Sequence, residues 1–255
     1  MTLAVSAIEQ VFHKIDLLDL SWDYFLVFAF LAVIIPWRGV VRVRKLLEQP
    51  AFTSAERMSL YAATIAAQWV GAGFLWWRGW ARGYQPADWG VGVPDPASAI
   101  SAAAVLLALV CEIQVLSVRR LAQLPAERHG RMGNLIRKLM PESGAESLVF
   151  AGLALTAGIC EEYIYRGFAL TVIERAAGGY AAAGIIGSSL LFSVAHLYQG
   201  RRGVVSTFVL GGVFGISRTV TGSLLPAVVA HACVDLLAGL WAARKLRALA
   251  SSTKS

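Results

Sequence analysis

Six ionisable side chains stand inside apolar stretches in the C-terminal half of this 255-residue chain. Glu161, Glu162 and Arg166 lie in the run Thr156 to Phe168, His196 closes the run from Phe192, and His231 and Asp235 fall between alanines, valines and leucines. A carboxylate among apolar neighbours can hold a water and take its proton. A histidine can orient that water, or bind a metal that acidifies it. A second histidine with a carboxyl partner can stabilise the oxyanion that forms when water attacks an acyl carbon. The chemistry these residue types suit is hydrolysis by an activated water.

Their spacing requires helices. Glu162 and Arg166 are i,i+4, on one helical face and in the favourable acid-before-base order. Glu161 points about 100° away from Glu162, so the two acids can do different work. Phe192 and His196 share a face, as do His231 and Asp235. Three helices would then present polar groups to one interior point.

Composition says where those helices lie. Hydrophobic residues make up 57% of the chain and charged residues 15%, against roughly 25% charged in a soluble domain. Mean hydropathy is +0.61. Such a chain cannot give a soluble globule a polar surface, which excludes an ordinary cytosolic enzyme and a disordered protein. The expected fold class is all-α, a polytopic transmembrane helix bundle. Apolar runs long enough for the bilayer core place seven spans near 24–41, 59–77, 97–118, 146–165, 181–198, 203–220 and 224–243. Counting 166–180 as a separate element makes eight. Trp76, Trp77 and Trp80 would anchor the second span at the interface. Residues 5–20 carry an amphipathic pattern without the basic start of a signal peptide.

The net charge of +7 fits the positive-inside rule better than a nucleic-acid partner. Arg38, Arg42, Arg44, Lys45 and Arg57 fall in one connection. Arg119, Arg120, Arg128, Arg131, Arg137 and Lys138 fall in another, Arg201 and Arg202 in a third, and Arg244, Lys245, Arg247 and Lys254 in the tail. Between them, Arg78 and Arg82 are offset by Asp88 and Asp95. Seven spans put all the basic segments on one side, with the N-terminus out and the C-terminus cytoplasmic in a bacterial-type cell membrane. Cys111, Cys160 and Cys233 lie in apolar runs and read as packing residues, not a disulfide framework. His13 and His129 lie in polar segments and read as solvated. Gly200, Gly203, Gly211, Gly212 and Gly215 suit close helix packing.

At the polar motifs the sequence resembles a known family. Glu161-Glu162-x-x-x-Arg166-Gly167, then Phe192-x-x-x-His196, then His231-x-x-x-Asp235 are similar to the signatures of the CPBP family. Its members are the CAAX-prenyl-protease-like and bacteriocin-processing intramembrane proteases, also called Abi proteins. The likeness runs from about Leu139 to Gly239, with Leu139-Met140-Pro141, Gly211, Gly215 and the Gly222 to Pro226 approach. Residues 1–138 carry no motif of this kind. The chain thus divides into N-terminal helices with basic loops (1–138), a catalytic core (139–243) and a basic tail (244–255).

The resemblance implies peptide-bond hydrolysis in the membrane, on a membrane-bound protein or peptide. It makes Glu161 the general base and gives His196 the attacking water. His231 and Asp235 become the oxyanion-stabilising pair, and Glu162 with Arg166 supports the first motif. Family descriptions divide between a glutamate-type enzyme and a metalloprotease. Glu161, Glu162, His196 and His231 are suitable ligand types for zinc, with Glu161, His196 and His231 the metal set, but no His-Glu-x-x-His run is present. Many members carry Asn where this chain has Asp235. Two other classes compete with the enzyme: a non-catalytic immunity or assembly scaffold, and a proton-coupled transporter. The intact motifs favour catalysis, and no paired repeat supports transport.

Overall fold

The computed structural model describes residues 22–49, 51–123, 130–242 and 244. Residues 5–20, His13 and His129, about which the sequence made statements, lie outside them. Helices α1 (Trp22–Glu48), α2 (Ser54–Trp80) and α3 (Pro96–Ala122) are followed by α4 (Gly130–Leu139) and α5 (Gly144–Ala176). Then come α6 (Ala181–Ala195), α7 (Gly200–Thr221) and α8 (Leu225–Trp241). No strand occurs among the described residues. The fold is the expected all-α membrane bundle.

Five helices are long and apolar enough to cross a bilayer, at α1, α2, α3, α5 and, with the turn from Leu197, α7. The spans expected at 181–198 and 224–243 are shorter helices, α6 and α8. At about 1.5 Å per residue the 15 residues of α6 rise about 22 Å, less than the roughly 30 Å hydrocarbon core. Their shortness has causes in the chain. A 3-10 turn at Leu197–Gln199, followed by Gly200 at φ 80°, ends α6. The start of α8 is roofed by the 88–92 segment: Leu224 N–H donates to Gly90 O at 2.9 Å, and Ser223 Oγ donates to Gly92 O. The stretch 166–180 is the rest of α5, not a separate element, as far as Ala176.

Long apolar side chains face outward. Trp22, Phe25, Leu26, Val70, Ile100, Leu148 and Val220 are all exposed, as a lipid-facing surface requires. Trp76, Trp77 and Trp80 are exposed at the end of α2. The interior holds an aromatic knot instead. Trp89 stacks on Tyr84 with centroids 4.4 Å apart and lies against Tyr163 and Phe168, and Phe168 meets Tyr24 edge-on at 5.0 Å. Gly79 gives Trp89 its place, because a Cβ there would stand 2.7 Å from the indole.

Two ion clusters fasten the N-terminal helices to this body. Asp23 accepts from Arg78 at 2.7 Å and from Arg82 at 2.6 Å, while Asp88 pairs with Arg175. Arg78 and Arg82 thus pair with Asp23 of α1, a partner outside their own loop. Arg57 is not a loop charge. It lies in the first turn of α2, 5% exposed, and its guanidinium grips Glu146 through two bonds of 2.9 and 3.1 Å, with a third of 2.7 Å to Glu142. Thr53 and Glu56 form a capping box that starts α2 here, so the helix reaches back far enough to bury Arg57. Arg38, Arg42, Arg44 and Lys45 ride on the last turns of α1.

Candidate functional site

Glu161 and Glu162 close the α-helical part of α5, where the helix widens into a π-type turn over Tyr163–Ala169. Leu170 N–H reaches back to Tyr165 O, an i+5 bond. Such turns interrupt the regular ladder and are frequent at functional sites. Packing brings α8 against this point. A Cβ on Gly158 would lie 2.9 Å from Val228 O and 3.1 Å from Ala232 Cβ. The missing side chain lets the two helices approach one turn from the acids.

The close approach forms the centre of the site. His231 Nδ1 and Glu162 Oε1 are 2.7 Å apart, and Arg166 Nη1 donates to the same oxygen at 2.9 Å. Glu162 and Arg166 are fully buried. The Arg166 guanidinium carbon sits 4.2 Å from the Phe192 ring centroid and 5.6 Å from that of Phe214, a cation–π setting that partly replaces water. Gly211 makes room for it, since a Cβ there would stand 3.0 Å from Nη2. Among the close-packing glycines, Gly211 and Gly215 do lie against α6, whereas Gly212 faces open space.

The remaining groups are more open. His231 Nε2 stands 3.9 Å from Glu161 Oε2 and 3.9 Å from Asp235 Oδ2. Side-chain exposure rises from 0% at Glu162 to 8% at His231, 20% at Glu161 and 35% at Asp235. The site thus has a sealed base and a more open rim. His196 is the C-cap of α6 rather than a residue of its face. Its Nδ1 lies 2.7 Å from Phe192 O and must donate to it, which leaves Nε2 as the acceptor of the neutral ring. Its ring is 4.5 Å from Phe192, whose ring lies 5.9 Å from His231. Three helices do converge, as the spacing suggested.

Two features differ from expectation. The hydrogen-bonded partner of His231 is Glu162 from α5, not Asp235 one turn along its own helix. And Glu161 has a partner from the N-terminal half: Gln68 Nε2 donates to Glu161 Oε1 at 2.6 Å. Gln68 is the sole polar residue between Thr64 and Trp69 and sits near the middle of α2. An amide so placed was the available signal, but an uncharged residue without a motif did not stand out.

Zinc can be tested on the donors. Among the described residues, no three His, Cys, Asp or Glu side chains converge as a metal-binding group. Glu161, His196 and His231, the metal set suggested by ligand type, therefore do not fit zinc as arranged. Glu162 and the Nδ1 of His231 are already committed to each other. Cys111, Cys160 and Cys233 are free thiols, with Cys160 fully buried.

The chain is therefore a helical membrane bundle with a carboxylate–histidine–arginine cluster in its interior. Residues 143–237 match the family model described as type II CAAX prenyl endopeptidase Rce1-like, the CPBP/CAAX protease family that the motifs resemble. The matched segment contains all six motif residues and leaves Arg57 and Gln68 outside it. Comparison with the curated proteins gave no match, and neither did comparison with the solved structures. The family match supports a CAAX-type membrane protease in general terms.

Proposed function

We propose that this chain is an intramembrane endopeptidase of glutamate type, hydrolysing a peptide bond of a membrane-bound protein or peptide. The observation that carries the proposal is the pair of 3.9 Å gaps around His231 Nε2. Each is too long for a direct hydrogen bond and wide enough for a shared oxygen of water or of a substrate carbonyl. Glu161 Oε2 is placed to take a proton from a water there. The acceptor Nε2 of His196 suits a second hydrogen of that water. Glu162 holds His231 by Nδ1, as the acid of a hydrolytic triad holds its histidine. With a second proton on Nε2, His231 becomes the donor that a developing oxyanion needs.

Asp235 lies at the open rim beside Nε2. Arg166 holds Glu162 in place through their 2.9 Å bond without touching substrate. The anionic tetrahedral intermediate collapses, with its C–N bond breaking, when Glu161 returns its proton to the leaving amine. The division of the chain follows: 139–243 supplies the chemistry, 1–138 supports it, and 244–255 is a basic tail. With the shorter α6 and α8 crossing as well as the five long helices, the basic clusters at the end of α1, the end of α3 and the start of α7 share one side, which supports a cytoplasmic C-terminus and an outward N-terminus.

The test is cleavage of a fluorogenic membrane-peptide library by the purified full chain in liposomes, with Glu161→Ala and His196→Ala beside it. Loss of activity in both variants, with activity of the wild type unchanged by a chelator and zinc absent from the preparation, is the expected result. Wild type no more active than Glu161→Ala across the library would leave a membrane scaffold as the function. Activity that follows bound zinc would overturn the glutamate-type mechanism.

A further inference from the structure

We infer that Gln68, on a helix outside the family-matched segment, is a positioning residue that selects which oxygen of Glu161 moves protons. This inference rests on the assignment of Glu161 as the base. A carboxylate has two equivalent oxygens, and an unconstrained side chain presents either to solvent by rotation about its last bond. Here Oε1 is held at 2.6 Å by the Gln68 amide N–H, and Oε2 is left facing His231 Nε2. An ionised carboxylate only accepts, so the amide must turn its NH2 toward it. With Oε1 occupied, the proton taken from water lands on Oε2 and leaves from Oε2 toward the amine.

The amide is poorly explained as helix glue. Its own Oε1 is buried with no hydrogen-bond partner, so the amide is engaged through its NH2 end on Glu161. Around it α2 and α5 already meet through Ile65 beside Gly152 and Ile164 beside Gly71. Trp69 Nε1 supplies a polar link to Thr156 Oγ1 at 3.3 Å. The other ionisable groups near Glu161 come from its own helix (Cys160, Glu162, Tyr165, Arg166), from α8 (His231, Asp235) and from the turn before α7 (Tyr198). None of these forms a hydrogen bond to Oε1 in the structure, so Gln68 alone fixes that oxygen among the described residues.

The experiment compares Gln68→Met, Gln68→Asn and Glu161→Gln with wild type, each as full chain in liposomes, on one cleaved peptide from the library. Methionine fills the same space without a donor, and asparagine retracts the donor by one methylene. Both should lower kcat by about 10- to 100-fold, the cost of misplacing a catalytic group by about 1 Å, with KM and the unfolding temperature unchanged. Infrared difference spectra across a pH titration give a second readout independent of turnover: the carboxyl band absent from Glu161→Gln should shift in Gln68→Met. Gln68→Met with kcat within twofold of wild type, or with that band unmoved, overturns the inference and leaves Glu161 as base if Glu161→Gln is inactive. An active Glu161→Gln overturns the base and the inference together.

Discussion

His231 is held at one ring nitrogen by Glu162, 2.7 Å away, while its other nitrogen stands 3.9 Å from both Glu161 and Asp235. One side of the imidazole is therefore structural and the other is open. The two adjacent glutamates divide along the same line. Glu162 is sealed under Arg166 and His231, and Glu161 reaches the rim.

That division predicts opposite outcomes for the same substitution one residue apart. Glu162→Gln keeps a carbonyl oxygen for His231 and Arg166 but removes the charge that the buried Arg166 pairs with. Removing one member of a buried pair costs about 3–5 kcal/mol, so the unfolding temperature in detergent should fall steeply. Glu161→Gln keeps an acceptor for Gln68 and should leave stability within about 0.5 kcal/mol while abolishing cleavage. Thermal unfolding and turnover measured on both variants check this; equal stability of the two would refute the buried role of Glu162.

Gly158 predicts a packing defect that reads out as chemistry. Its absent side chain leaves Val228 O and Ala232 Cβ at 2.9 and 3.1 Å from the Cβ position. Overpacking typically costs about 1–3 kcal/mol, and here the helices that part are those joined by Glu162 and His231. Gly158→Ala should lose stability in that range together with most of the activity. Gly212→Ala, where nothing lies within 4 Å, is the control and should match wild type in both.

Most of the site was legible because ionisable residues in apolar runs are expensive and therefore conspicuous. Glu161, Glu162, Arg166, His196, His231 and Asp235 announce themselves by type alone. Their pairing was less legible. Periodicity reports neighbours along one helix, so it offered Asp235 to His231, while the bond that forms joins Glu162 and His231 across 69 positions. Arg57 was hidden by the same limit: beside Arg38 to Lys45 it looks like one more loop charge, and only the fold brings Glu146 to it. The short α6 and α8 were counted as full spans because hydropathy does not register the turn at Leu197–Gln199 or the 88–92 roof.

Asp235 predicts a tolerant position. It has no direct hydrogen bond to His231, and a negative charge beside a forming oxyanion opposes it. Asp235→Asn keeps the shape and can donate to that oxygen. It should retain activity within about threefold of wild type or exceed it, a span of less than about 0.7 kcal/mol in barrier. Asp235→Ala, which removes the polar group, should fall below Asn. Steady-state kinetics on the two variants decide the matter, and an inactive Asp235→Asn would mean that the carboxylate itself takes part.

Arg57 predicts a stability effect separable from catalysis. Its three carboxylate bonds and a fourth to Phe52 O at 2.9 Å tie the start of α2 to the start of α5, far from the acids along both helices. Arg57→Met leaves the fully buried Glu146 uncompensated and should cost about 3–5 kcal/mol. The double change Arg57→Met with Glu146→Leu removes both buried charges and should recover much of that loss, since apolar replacement of a buried pair is often neutral. The folded fraction of either variant should cleave with kcat near wild type, because Gln68 and the acids lie more than two turns away along α2 and α5. Unfolding temperatures of the single and double variants measure the coupling directly. A double variant no more stable than Arg57→Met would show that packing around the methionine, and not the stranded carboxylate of Glu146, is what weakens the bundle.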